Sequence, residues 1–246
     1  MRVIGVVAAS VGLLCSAGFA TTAPAAAEQS VSQEAREALA SAMEVAKQQA
    51  DTRWAFTMVY TDHGEGGPKD YRLRFDPRLE EEARWQLLDP SIEALSKDEK
   101  KTFKQIQGSN DADDRLIYDK LPIDLDQLVL VAEDDARATF EAAIIDDEMP
   151  KKMIEAVKMT VTINKPGVFV EEISMRSTAP FKPAPVAKVD SFEQIQRYAP
   201  LTEGGPALLR EAHSDVSGKA VFKKFDTKST TVYSDFDPVT ETGNQE

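Results

Sequence analysis

The sequence predicts an α+β protein in which helices cover one face of a curved antiparallel sheet. Three observations predict this class: two stretches with helical periodicity, a strictly alternating hairpin near residue 60, and a C-terminal half in which alternating strands follow one another between turn signals. No linker rich in Pro, Ser or charge divides the chain. We therefore expect a single domain over residues 28–236, followed by a polar tail at 237–246.

The N-terminus has the three-part pattern of a secretory signal peptide. Met1 and Arg2 give a positive start, residues 3–14 carry no charge, and small residues follow up to Ala27. The apolar run is shorter than the roughly 20 residues that a membrane span needs, so an uncleaved anchor is the less favoured interpretation. The pattern predicts a signal peptide over residues 1–27, cleavage before Glu28 (with Gly18–Ala20 as an alternative site), and a periplasmic or secreted protein.

Cys15, the single cysteine, lies inside that predicted signal. It follows Leu13 and Leu14, whereas a lipoprotein signal has small residues before its lipidated cysteine. Cleavage would leave a mature chain with no disulfide, thiol nucleophile or zinc–thiolate site.

The chain is strongly acidic, with 42 Asp and Glu against 29 Lys and Arg and a net charge of -13. A field of that sign repels nucleic acid and anionic lipid headgroups, so neither is an expected partner. Solubility is a simpler explanation of the acidity than a docking surface for a basic protein. The sequence after residue 27 contains no apolar run long enough to predict a transmembrane span.

The first half predicts helix, hairpin and helix. Residues 32–50 have the spacing of an amphipathic helix, and from Arg53 the period changes to two. A glycine-rich turn at 64–68 joins the two hairpin strands, and Trp85 and Leu87 indicate a third. Residues 91–107 predict a charged helix, because Ser96 and Glu99 match a capping box. Residues 108–115 are expected to form a polar loop.

The second half predicts antiparallel strands. One hairpin pairs residues 128–131 with 137–142; another begins at 157–164 and returns from Phe169. Its Lys165-Pro166-Gly167 turn is expected to be type II, with Gly167 at positive φ. Further strands are predicted at 186–198, 207–217 and 230–236, with a Gly204-Gly205 turn between the first two.

Chemical motifs are scarce. Glu211, His213 and Asp215 share one face of a strand, which is compatible with a metal or acid–base site but more simply with a solvated face. Residues 110–114 have calcium-ligand types but lack the glycine and terminal glutamate of an EF-hand. Carboxylates paired in space for glycoside hydrolysis stay open. We assign no catalytic residue, no metal ligand and no cofactor; whether the protein is an enzyme is left open, with a non-enzymatic role favoured.

An alternating aromatic face is the feature with most functional potential. At period two its side chains share one surface of adjacent strands, which is either a closed core under the helices or a pocket for an apolar ligand. Methionine would make such a pocket adaptable. The candidate ligand-binding residues are Trp54, Phe56, Met58, Tyr60, Tyr71, Phe75, Trp85 and Met159.

The order of elements, from signal peptide and N-terminal helix to hairpin, helical insertion and long strands, resembles the periplasmic half-barrel fold of LolA, LolB and RseB. The C-terminal third is also similar to a set of uncharacterised secreted proteobacterial proteins, through residues 176–183, 205–209, 218–220 and 233–236. The resemblance implies a half-barrel sheet with helices on its concave face, which binds acyl chains or a protein partner.

Two functional hypotheses follow. The first is a non-enzymatic protein of the cell envelope that binds a lipid or another apolar small molecule in its half-barrel sheet. The alternative is an interaction or regulatory module that binds an envelope protein. No residue of the resemblance identifies a specific ligand contact, and fold likeness alone does not determine function.

Overall fold

The computed structural model describes residues 24–64, 67–107, 116–146, 149–184, 186–221 and 223–239. The helices are α1 (Pro24–Gln49), α2 (Lys97–Gln107) and α3 (Lys151–Ala156). The strands are β1 (Arg53–Asp62), β2 (Lys69–Phe75), β3 (Trp85–Asp89), β4 (Val129–Glu133), β5 (Arg137–Ala142), β6 (Val157–Asn164), β7 (Phe169–Ser177), β8 (Phe181–Ala184), β9 (Ala187–Pro200), β10 (Ala207–Ala220) and β11 (Lys223–Val239).

The strands form one open sheet in the order β3-β2-β1-β11-β10-β9-β7-β6-β5-β4, with β8 paired to β9. The strand pairs whose register is resolved are antiparallel, as in β1 with β2 and β6 with β7. Neighbours in the sheet are mostly neighbours in sequence, which is the arrangement that short hairpin connections produce. The predicted α+β class with an antiparallel sheet is confirmed, and among the described residues the sheet does not close.

The chain separates into two compact units. Unit 1 takes the chain up to Ala42, then Pro122–Glu193 and Val216–Phe225. Unit 2 takes Met43–Leu121, Gln194–Asp215 and the chain from Asp226 onward. The single-domain expectation stays a prediction.

Unit 1 has the core that the second-half alternation predicts. Along β6, Val157, Met159, Val161 and Ile163 are buried, while the intervening side chains are more exposed. Arg36 of α1 donates a hydrogen bond to the carbonyl oxygen of Leu128 at 2.7 Å. Strand β8 was not predicted from the sequence; its proline, Pro183, and its four-residue length hide the alternation.

The turn after β6 differs from the expected type II geometry. The residue at positive φ is Val168, at 49°, and Gly167 is not in the left-handed region. Gly167 is required for space instead: a Cβ there would lie 2.6 Å from Cε1 of Phe169. Its amide donates to Oδ1 of Asn164 at 2.8 Å. The turn covers residues 165–168, one residue more than predicted. The prediction of a positive φ at Gly167 is therefore wrong.

Helix α1 starts at Pro24, before the predicted Ser32, and so includes the residues around the predicted cleavage point. Residues 1–23, the 108–115 loop and the tail from residue 240 lie outside the described residues. Strand β11 continues to Val239, beyond the predicted end at Phe236. In the described part of the chain, none of the helices combines the length and the apolar character that crossing a bilayer requires.

Candidate functional site

The predicted aromatic face lies in unit 2, where its side chains form rows of directly opposed residues across neighbouring strands. Strand β1 pairs with β2 so that Phe56 lies opposite Phe75, Met58 opposite Leu73 and Tyr60 opposite Tyr71. This register confirms the hairpin prediction, since side chains two apart share a face. On β3, Trp85 continues the Phe75 row and Leu87 continues the Leu73 row.

Helix α2 supplies a second wall. Ser96 and Glu99 form the predicted capping box: the Ser96 amide donates to Oε2 of Glu99 at 2.7 Å, and the Glu99 amide donates to Oγ of Ser96 at 3.3 Å. The box sets where the helix begins, and so which residues face the sheet. Phe103 and the preceding Leu95 are buried, with 7% and 6% of their surface exposed.

Helix α2 and the Met58 and Tyr60 rows enclose a cavity of about 500 Å³. That volume is typical of small-molecule sites, which range over about 300–1,000 Å³. Most lining side chains are apolar or aromatic, and two of the polar ones, Asp98 and Thr102, are exposed and border solvent. The lining residues are Met58, Tyr60, Asp62, Tyr71, Leu73, Leu87, Leu95, Asp98, Glu99, Thr102, Phe103 and Ile106.

A polar contact ties the hairpin to the helix at one side of the cavity. The Tyr71 hydroxyl donates to Oε1 of Glu99 at 2.5 Å, and Nζ of Lys69 lies 3.3 Å from the same oxygen. Hydrogen bonds from Ser96, and then from Tyr71, lower the pKa of Glu99 to about 2. Glu99 is therefore charged at neutral pH and is held in place by both elements.

The tyrosines of this region stay neutral. Burial is the largest cause that raises the pKa of Tyr71 to about 12, and the Glu99 hydrogen bond and the charges of Glu99 and Asp62 add to it. Burial also raises the pKa of Tyr60, with a further contribution from the charge of Asp62. Both hydroxyls can donate hydrogen bonds at neutral pH, and both experience a negative field.

The other end of the aromatic face is closed. The ring of Phe56 lies 5.3 Å from that of Phe75, 5.8 Å from Trp85 and 5.7 Å from Tyr233, measured between centroids. Phe56 and Phe75 are 1% and 0% exposed. These rings pack against one another, at centroid distances within the range of about 4.5–7 Å that is typical of aromatic pairs.

The structure therefore divides the eight predicted ligand-binding residues. Met58, Tyr60 and Tyr71 line the cavity. Trp54, Phe56, Phe75 and Trp85 are buried in the closed aromatic end, and Met159 lies on β6 in unit 1. Ligand binding by any of the eight stays a prediction.

The sequence interpretation missed the contribution of α2 to the cavity. Asp98, Thr102 and Ile106 recur every four residues, the signal that could have placed them on one helix face. Asp62 gave no such signal, because a carboxylate beside an apolar surface looks like any other solvated charge in a sequence.

The other candidate polar sites are occupied by structural contacts. Glu211 pairs with Arg197 at 3.2 Å, and Asp215 pairs with Lys228 at 3.4 Å. His213 also has an interaction partner. No three metal-ligating side chains converge anywhere in the described ranges. The possible calcium loop at 110–114 lies outside those ranges.

Comparisons with known proteins give a likeness in structure and none in sequence. No protein-family model matches the chain, and no curated protein matches its sequence. A solved LolA superfamily protein from Nitrosomonas europaea is similar over 82% of this chain and 92% of its own, with 13% sequence identity and a TM-score of 0.38. With a TM-score this low, the likeness supports neither a family assignment nor an inference about a ligand.

Proposed function

We propose that this protein is a non-enzymatic binding protein of the bacterial cell envelope, which holds a lipid or another apolar small molecule in the cavity beneath α2. The observation that carries the proposal is the cavity itself, about 500 Å³ of space lined mainly by apolar and aromatic side chains. Apolar pockets with a few convergent polar groups are the usual form of small-molecule sites. The signal-like residues 1–27 support the envelope location.

The cavity floor supplies the apolar contact. Met58 and Leu73 face each other across β1 and β2, and Leu87 extends their row. An apolar ligand seated there gains roughly 25 cal/mol for each Å² of apolar surface removed from water. Methionine and leucine can repack around chains of different shape, which fits a lipid-like ligand better than a rigid one. The alternative, a module that binds an envelope protein, stays a prediction.

A filled-cavity variant tests the proposal. Met58→Trp places a larger side chain on the floor, and Val59→Trp places the same side chain on the opposite face of β1, where side chains alternate. Protein purified from its native envelope would be extracted with organic solvent and the extract examined by mass spectrometry. Binding of the neutral probe N-phenyl-1-naphthylamine would be measured alongside.

We expect wild type and Val59→Trp to retain an extractable apolar compound and bind the probe, and Met58→Trp to do neither while keeping a cooperative thermal transition. A wild-type protein that yields no compound and binds no probe contradicts the proposal. Terminal sequencing tests the location: the mature chain should begin at Glu28, and an intact Met1 in the envelope fraction contradicts the cleavage.

A further inference from the structure

The charged side chains that line the cavity are all acidic. They are Asp62 at the end of β1 and Asp98 and Glu99 in the first turn of α2. Among the described lining residues there is no Lys, Arg or His. The apolar lining therefore ends at a border of one sign of charge.

Helix α2 separates its charges between two faces. With 100° between successive residues, Asp98, Glu99, Thr102, Phe103 and Ile106 fall within one side of the helix, the side that lines the cavity. Its four lysines, Lys97, Lys100, Lys101 and Lys104, fall on the opposite side. The helix thus presents carboxylates and apolar groups to the cavity and cations away from it.

The carboxylates differ in what already engages them. Glu99 is bound by Ser96, Tyr71 and Lys69. Asp62 accepts the amide of Gly64 at 2.9 Å through Oδ1, which leaves its second oxygen without a hydrogen bond from the described residues. Because Glu99 already serves in the capping box, the carboxylates that remain for a ligand are those of Asp62 and Asp98.

A single apolar chain with a negative head would meet this border unfavourably. A carboxylate or phosphate head beside Asp62 is repelled, and the low polarity of the adjacent apolar lining strengthens the repulsion relative to bulk water. A primary ammonium has three donors and a compact charge, which suit two separate carboxylates.

We infer that the cavity takes a single-chain amphiphile with a positively charged head, its chain on the Met58 floor and its ammonium group toward Asp62 and Asp98. The inference rests on the proposed function and adds the ligand's charge to it. The cavity volume, about 500 Å³, favours one chain over a lipid with several.

Isothermal titration with three octyl ligands tests the head group, because octylammonium, 1-octanol and octanoate share one chain. We expect octylammonium to bind on the order of tenfold more tightly than octanoate, with 1-octanol between them, and the difference to shrink at high salt. The double variant Asp62→Asn/Asp98→Asn should remove most of that preference. Glu82→Gln, an exposed carboxylate outside the lining, should leave it unchanged.

The outcomes separate the two claims. If all three ligands bind wild type equally, or octanoate binds best, the charge inference is wrong and the apolar cavity stands. If none binds, the proposed function is wrong, and the charge inference that rests on it is wrong as well. If Met58→Trp binds octylammonium as wild type does, the cation is held by the acidic surface outside the cavity, and the inference is wrong.

Discussion

The two ends of the β1–β2 hairpin share the same alternation of side chains, but one end is closed core and the other lines a cavity. At one end Phe56, Phe75 and Trp85 pack ring against ring and are almost fully buried. At the other end Met58 and Tyr60 continue the same face, yet the space above them is a cavity. Alternation decides which side chains share a face; what lies above the face decides whether it is core or pocket.

The difference has a physical cause in the covering side chains. The closed end is filled by aromatic rings from three further strand positions, Trp85, Tyr233 and Phe236, with centroids 5.8, 5.7 and 6.4 Å from that of Phe56. Over the other end α2 contributes its capped first turn, Thr102, Phe103 and Ile106, and these side chains line a cavity instead of filling the space. The Tyr71 ring is held toward Glu99 by its hydroxyl.

The largest expected effect is on the closed end. Phe56→Ala should lower the free energy of unfolding by about 3–5 kcal/mol, because a buried ring is lost and a void remains among its neighbours. Urea unfolding followed by tryptophan fluorescence measures the change. A loss under about 1 kcal/mol would mean that the aromatic end is loosely packed, and the contrast between the two ends would disappear.

Met58→Ala gives the matched measurement at the open end. Met58 is only partly buried and already borders open space, so we expect a smaller loss of about 1–2 kcal/mol. Binding of N-phenyl-1-naphthylamine should weaken in this variant and stay at the wild-type level in Phe56→Ala under native conditions. Equal losses of stability in the two variants would show that Met58 packs as core.

The capped start of α2 gives the next effect. Ser96→Ala removes the Oγ acceptor of the Glu99 amide and should cost about 1 kcal/mol. Ser91→Ala is the control, since Ser91 precedes a short 3-10 turn and makes no side-chain cap bond. Thermal unfolding distinguishes them. If both variants unfold at the same temperature, the capping box does not hold the cavity wall.

Much of this site was predictable because local rules determine it. The Tyr60–Tyr71 register follows from alternation and a glycine-rich turn, and the start of α2 follows from the Ser96–Glu99 box. The cavity was not predictable, since it depends on how far α2 stands from the hairpin. Met159 shows what alternation alone cannot predict. The pattern identified it as an inward-facing residue of β6, but β6 lies in the other unit from the aromatic face.

The smallest expected effect is the pH dependence of the hydrogen bonds that Ser96 and Tyr71 make to Glu99. In the folded protein hydrogen bonds lower the pKa of Glu99 from its ordinary 4.5 to about 2. A lowered pKa stabilises the fold at pH values above 4.5, and this contribution is lost as the pH falls from 4.5 toward 2. Glu99→Gln cannot titrate, so the gap in stability between wild type and Glu99→Gln should narrow over that interval. Because the Glu99 side chain is 26% exposed, solvent screening keeps the gap small.

Urea unfolding of both proteins across that pH interval measures the gap at the open end. Glu93→Gln is the control: its carboxylate is exposed in the 3-10 turn before α2 and outside the cavity lining. A change that both variants share reflects the loss of one acidic charge and not the contacts of Glu99. If the Glu99→Gln gap is constant across that interval, Ser96 and Tyr71 do not hold Glu99 in solution, and α2 is free to settle onto Met58 and Tyr60. The two ends of the hairpin would then differ only in which residues cover them, since nothing would keep the cavity open.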